Sequence, residues 1–144
     1  MPPDDELARL QSLAAQFRTA IEATLSADFP EGMQTFPCLA CGDSALLLAR
    51  WLKELGLNPT GIVQGYNGTA GHSWLMVGDI YVDITADQFH DGKEVPYATR
   101  SSDWHKQFSA RRETYDADWP DDDNVGMEGM HAAYRAIREH IETH

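Results

Sequence analysis

The feature that most restricts the fold of this 144-residue chain is a segment that would be apolar on nearly every side if it were helical. Residues 42–55 read GDSALLLARWLKEL, and only Arg50, Lys53 and Glu54 form a narrow polar strip. A helix with so little polar surface has to lie inside the protein. We therefore expect a central buried helix, ended by Gly56, around which the other elements are arranged.

Periodic patterns on both sides of this segment predict a mixed α+β domain. Apolar spacings of three and four predict helices at residues 4–26 and 125–141. Shorter patterns predict further elements, namely strands at 60–64, 72–77, 80–85 and 95–99 and a short helix at 101–108. The polar segment 111–124 is expected to be irregular. The length suits one hydrophobic core, so residues 1–144 are predicted to form a single domain with flanking helices and a small antiparallel sheet.

Two of the predicted strands should form a tight hairpin, because Gly-Asp at 78–79 is a turn sequence. With the tip there, His72 lies opposite Thr85 and Trp74 opposite Asp83. His72 and Asp83 then share one face as diagonal neighbours, within reach of a hydrogen bond. A register shift of one residue would put them on opposite faces.

The two cysteines of the chain, Cys38 and Cys41, stand just before the buried helix in the string CLAC. They fit a redox pair, half a zinc site, a short-loop disulfide, or two small buried apolar side chains. A redox motif normally follows a strand, which is missing here, and zinc needs two further ligands among scattered histidines. Only Cys41 lies in the first helical turn, where the helix dipole lowers a thiol pKa. If one cysteine is a nucleophile, we expect it to be Cys41.

A nucleophilic thiol needs an imidazole partner, and that imidazole needs an acceptor to orient it. His72 and Asp83 are the predicted pair, although a structural histidine and a turn-holding carboxylate would fit the same pattern. His105, beside Trp104, could be a second imidazole near the site, but a surface position is expected. The acidic residues of segment 116–123 suggest Ca²⁺ but lack the glycine and terminal glutamate of an EF-hand loop, so a solvated loop is expected.

The order cysteine, histidine, aspartate on helix, strand and strand resembles the transglutaminase-like branch of the papain-like cysteine peptidase superfamily. The matching strings are ACGDSALLLARWL with Cys41, HSWLMV with His72, and VDITADQF with Asp83. The strings DITADQF and SDWHKQF also resemble a set of small bacterial proteins that combine Cys-Gly-Asp with His-x-Trp-Leu. The resemblance covers residues 36–89 and implies a papain-like core, in which the cysteine-bearing helix packs on the small sheet.

The resemblance also implies an activity, which is thiol-dependent hydrolysis or acyl transfer at an amide by a peptidase or glutamine deamidase. Cys41, His72 and Asp83 would be the catalytic triad, and the Cys41 N–H would form half of the oxyanion hole. Gln34 and Gln88 are the candidates for the other half. Trp74 and Cys38 would line the site, with Cys38 able to trap Cys41 in a disulfide. No metal or cofactor is expected.

The net charge of −12 argues against nucleic acid or an anionic membrane as the main partner and favours a basic peptide or protein substrate. The N-terminus has no signal-peptide pattern, so a cytoplasmic location is expected, with leaderless export left open. Two alternatives remain at this point. One is a non-catalytic binding protein or toxin–immunity component with the same fold, and the other is a thiol–disulfide module that uses Cys38 and Cys41. The oligomeric state is not predicted.

Overall fold

The structure, a computed structural model, describes residues 4–115, 117 and 129–144 and confirms the predicted α+β class. Its helices are α1 (Asp5–Thr24), α2 (Cys41–Glu54), α3 (Asp103–Lys106) and α4 (Met130–Thr143). Its strands are β1 (Gly61–Tyr66), β2 (Gly71–Val77), β3 (Ile80–Val82), β4 (Ala98–Thr99) and β5 (Ala110–Tyr115). They form one antiparallel sheet in the order β4-β3-β2-β1-β5. Among these residues, no helix combines the length and the apolar content needed to cross a membrane.

Helix α2 is the central buried element that its sequence predicts. It packs on β2 and against α4, and α4 in turn packs on α1. Leu47, Leu48 and Leu52 are at most 1% exposed. The helix begins at Cys41, one residue earlier than the apolar pattern indicated. The first helical turn therefore includes the cysteine and lies beside the sheet.

The predicted hairpin register is confirmed, since Leu75 pairs with Val82 and Val77 with Ile80. However, β3 ends at Val82, three residues before the predicted end. The reason is local, because the Asp83 carboxylate accepts the Thr85 backbone N–H at 2.9 Å and turns the chain away from the sheet. The first half of β2 consequently lies beyond the end of β3.

The C-terminal part of the chain differs from the sequence prediction at two places. Residues 110–115 form β5, which pairs with β1, where an irregular segment was expected from residue 111. A charged segment is compatible with a strand at the edge of a sheet, because an edge strand keeps one side open to water. Helix α4 begins at Met130, after Gly129 with a φ of 85°. Residues 125–128 of its predicted start, and the acidic residues considered for Ca²⁺ (116, 118 and 121–123), lie outside the described part of the chain.

Two long-range contacts fix the segments that surround the end of β3. Arg18 in α1 donates from Nη1 to the Ile84 carbonyl oxygen at 2.5 Å. Its Nη1 and Nη2 also donate to the two carboxylate oxygens of Asp87, at 2.8 and 2.9 Å. On the other side of the sheet, Gly65 in β1 allows a close approach of Phe108. A Cβ at position 65 would lie 1.9 Å from the Phe108 carbonyl oxygen.

Candidate active site

Cys41 occupies the first position of α2, and its surroundings there favour a thiolate. The N-cap residue, Ala40, makes no side-chain cap hydrogen bond, so the sulfur lies at the positive end of the helix dipole, in a first turn that also contains Asp43. The Cys41 side chain is partly exposed, which leaves the sulfur within reach of solutes. Ser73 in β2 lines the same small cavity as Cys41 and is among the groups that favour the thiolate. Ser73 was not among the sequence-predicted site residues.

The early end of β3 brings His72 and Asp83 together. Asp83 is the first residue after the strand and lies at the side of β2 that β3 leaves open. Its Oδ2 is 2.7 Å from His72 Nε2, and both side chains are buried. The hydrogen bond fixes the ring orientation and leaves His72 Nδ1 for other partners. Burial opposes protonation of the ring, but interactions with Asp83 and then Cys41 outweigh it and raise the His72 pKa. Cys41, His72 and Asp83 therefore form one connected series.

Asp83 has a second imidazole partner that the sequence did not predict to be there. His105 Nε2 also lies 2.7 Å from Asp83 Oδ2, and His105 is only 2% exposed, so the expected surface position was wrong. Ser102 holds this ring from the other side. Its Oγ accepts the His105 backbone N–H and lies 2.5 Å from His105 Nδ1. Since the Asp83 carboxylate can only accept, the Nε2 proton of His105 points to Asp83.

These contacts shift three pKa values in the directions that a thiolate–imidazolium pair requires. Burial disfavours the charged form of each group and so opposes each shift, but the interactions among the groups outweigh it. For Asp83, hydrogen bonds from His105 and His72 hold the carboxyl pKa far below its usual value. The bonds from His72 to Asp83 and Cys41 raise the His72 pKa to about 9. Contact with His72 and then Ser73 lowers the Cys41 pKa.

The two glutamines that sequence analysis treated as equivalent have different positions. Gln34 donates through Nε2 to the backbone carbonyls of Ser26 and Phe29, in the loop after α1. Gln88 lies at the site, where its Nε2 is 3.1 Å from His72 Nδ1 and its Oε1 accepts the Leu39 N–H at 3.3 Å. Of the two candidates, the structure therefore brings Gln88 to the histidine.

Aromatic rings surround the His72 imidazole. The ring centroids of four side chains lie 5.2 to 5.9 Å from that of His72, namely Trp74, Phe89, Trp104 and Phe108. Trp74 is 1% exposed, and its ring lies beside those of both His72 and His105. Cys38 is exposed, in the loop before α2. The aromatic shell keeps water away from the imidazole and so strengthens its bond to Asp83.

The donor atoms of His72, Asp83 and His105 lie within 4.8 Å of one another, which is a spacing that a metal ion can bridge. The two contacts of 2.7 Å with a single carboxylate oxygen are those of hydrogen bonds. A metal ion bound by all three groups would have to replace both protons and separate the rings. The geometry thus fits two bridging protons better than a bound metal.

No protein-family model, curated protein or solved structure matches this chain. The sequence did not predict Ser73 or Ser102 at this site, and for His105 it favoured the surface over a position near the site. For His105, the one available signal was the histidine beside Trp104 in SDWHKQF. The chemistry of the site is accordingly inferred from its geometry.

Proposed function

We propose that the protein is a thiol-dependent amide hydrolase or acyl transferase, of the peptidase or glutamine deamidase type, in which Cys41, His72 and Asp83 act as a triad. The observation that carries this proposal is the connected series of the three side chains, with the Cys41 pKa lowered and the His72 pKa raised to about 9. A structural histidine needs no partly exposed thiol with a depressed pKa beside it. That combination is typical of an activated nucleophile.

The proposed reaction begins with transfer of the Cys41 thiol proton to His72 Nδ1. The sulfur then forms a bond to the amide carbon, and the negative charge on the carbonyl oxygen is stabilised by N–H groups of the first α2 turn. As the C–N bond breaks, His72 returns its proton to the leaving nitrogen. A water molecule or an amine next gives a proton to His72 and attacks the thioester, which releases the acyl product and restores the Cys41 thiol.

Asp83 keeps the His72 proton on Nε2 in the resting state and stabilises the imidazolium during the reaction. His105 and Ser102 act through Asp83, so they are positioning residues and not catalytic ones. We also propose a papain-like, transglutaminase-like core, supported by a buried helix that carries the cysteine and packs on an antiparallel sheet. The net charge of −12 favours a basic peptide or protein as substrate, and we propose a cytoplasmic location.

Alkylation of Cys41 tests this proposal. In a Cys38→Ser protein, iodoacetamide should modify Cys41 with an apparent pKa well below the ordinary value of about 8.5. A fluorogenic basic peptide amide should form a thioester with Cys41 that intact-mass measurement detects, and Cys41→Ala should form none. An ordinary thiol pKa together with no thioester would refute the proposal. Activity that needs both cysteines would favour the thiol–disulfide alternative, and a biological effect that survives Cys41→Ala would favour the binding protein.

A further inference from the structure

The Gln88 side chain is held at both ends of its carboxamide by groups of the proposed site. Backbone N–H groups can only donate, so the group that faces the Leu39 N–H at 3.3 Å is the carboxamide oxygen. The amide nitrogen then faces His72 Nδ1 at 3.1 Å. An NH₂ group can only donate, so Nδ1 is the acceptor. This contact favours an unprotonated Nδ1, with the ring proton on Nε2 toward Asp83, and so opposes the interactions with Asp83 and Cys41 that raise the His72 pKa.

The same two contacts are those that a reacting amide needs. During acyl transfer the carbonyl oxygen has to meet a fixed N–H donor, and the amide nitrogen has to lie at the imidazole that will protonate it. Gln88 meets a backbone N–H just before α2 with its oxygen and meets the base with its nitrogen. Leu39 has a left-handed backbone, with a φ of 63°, which a non-glycine residue adopts only when its surroundings hold it there.

The space behind the thiol offers no alternative position for a substrate. The cavity that Cys41 lines together with Ser73 and Asp83 has a volume of about 10 Å³, roughly the room that one water molecule needs. A substrate amide is too large for this cavity, whereas the hydrogen-bonding position at His72 Nδ1 is one that an amide, that of Gln88, already occupies. Gln88 follows directly after Asp87, which Arg18 grips, so its backbone is fixed and only the side chain has to move.

We propose that the Gln88 carboxamide is an internal occupant of the amide-binding site, which a substrate amide displaces, and that the Leu39 N–H is a donor to the substrate carbonyl oxygen. This inference rests on the proposed function. While Gln88 donates to Nδ1, it competes with the thiol proton for that nitrogen, so this contact shifts the resting pair toward its neutral form. Displacement of Gln88 frees Nδ1, and the thiolate–imidazolium pair forms when substrate arrives.

The test compares alkylation of Cys41 by iodoacetamide in three proteins, all in a Cys38→Ser background: the reference, Gln88→Ala and Gln107→Ala. Gln107 is the matched control, because its amide bonds Trp104 O and Asn67 away from the triad. At about pH 6, Gln88→Ala should react about five- to tenfold faster than the reference. This is the effect expected when the hydrogen bond from Gln88 to neutral His72 is removed. At about pH 10, where the thiol is ionised in all three, the rates should converge. Gln107→Ala should match the reference throughout.

A second measurement uses propanamide as the probe for the vacated site. Propanamide should slow the alkylation of Gln88→Ala and leave the reference unchanged, while sodium propanoate should slow neither. A Gln88→Ala protein that folds normally by circular dichroism yet reacts no faster at low pH would overturn the inference; slower reaction would make Gln88 a supporting donor instead. If the reference has a depressed Cys41 pKa, this outcome leaves the proposed function standing. An ordinary Cys41 pKa in every variant would refute both the inference about Gln88 and the proposed function.

Discussion

Asp83 determines the electrostatics of the site, because one of its carboxylate oxygens accepts hydrogen bonds from two buried imidazoles. Its other oxygen accepts the Thr85 N–H, so both oxygens are occupied and the side chain has a single orientation. A buried carboxylate with this many donors stays ionised at any physiological pH. The negative charge on Asp83 is therefore the reason why His72 can hold a proton beside the Cys41 thiol.

Asp83→Asn should uncouple the thiol from the base. The charge that raises the His72 pKa is lost, so the His72 pKa should fall by about 1–3 units and the Cys41 pKa should rise. We expect amidase activity to fall by about 10²–10⁴-fold, and the apparent pKa of Cys41 alkylation to rise by about one unit. Asp91→Asn, at an exposed position in the same loop region, is the control and should leave both unchanged. An unaltered alkylation profile in Asp83→Asn would contradict the assigned role.

At the scale of elements, the site depends on a close approach between β1 and the segment that follows α3. Phe108 packs with Val63 and Trp74 on the face of the sheet that carries His72. Gly65 makes this possible because it has no Cβ, and the β1–β5 pairing is irregular at the same point. Since α3 carries His105, the small residue in β1 helps to set the position of the second imidazole.

Gly65→Ala should destabilise the protein by about 1–3 kcal/mol, because the new methyl group would overlap the Phe108 backbone and force the segment away from the sheet. Gly71→Ala is the matched control in the neighbouring strand, where the nearest atom to an added Cβ is 3.5 Å away. Urea unfolding monitored by tryptophan fluorescence measures both. Equal stability of the two variants would show that the contact at Gly65 does not constrain the fold.

The elements that carry the triad could be predicted from sequence, because their signals are local. The apolar pattern of α2 and the turn at 78–79 together set the positions of Cys41, His72 and Asp83. The strand β5 could not be predicted, since its pairing with β1 is long-range and its sequence, ARRETY, is mostly polar. The positions of His105 and Gln88 at the site likewise depend on long-range contacts. A polar side chain is buried or bound at a site when another part of the chain covers it, and no local pattern records that.

At the scale of the whole molecule, the triad affects how stability depends on pH. The His72 pKa is raised in the folded protein, so on its own it stabilises the fold below about pH 6.5, and this contribution is lost as the pH rises through the folded value of about 9. The Cys41 pKa is lowered, so its contribution to the free energy of unfolding changes with pH in the opposite direction. Between about pH 6.5 and 8.5 the folded pair and the unfolded pair each hold one proton, so the two contributions cancel.

Cys41→Ala should therefore give the protein a pH dependence that the wild type lacks. Without the thiol, Asp83 still raises the His72 pKa, so the folded state binds one more proton than the unfolded state above about pH 6.5. The free energy of unfolding should then fall by up to about 1.4 kcal/mol per pH unit relative to wild type. Urea unfolding between about pH 6.5 and 8.5 measures the difference, and adding Asp83→Asn should abolish it. Parallel curves for Cys41→Ala and wild type would mean that the His72 pKa is not raised.

The long-range contact between Arg18 and Asp87 has a consequence for the order in which the candidate site can assemble during synthesis. Arg18 and Asp87 are 69 positions apart in the chain. His105, which bonds Asp83, follows it by 22 positions. The ribosome releases the nucleophile long before its base, and the base before the groups that hold its aspartate. A nascent chain that exposes Cys41 thus lacks the groups that lower its thiol pKa, and these reach it only when the later segments have docked. The candidate site is therefore complete only once the whole domain has folded.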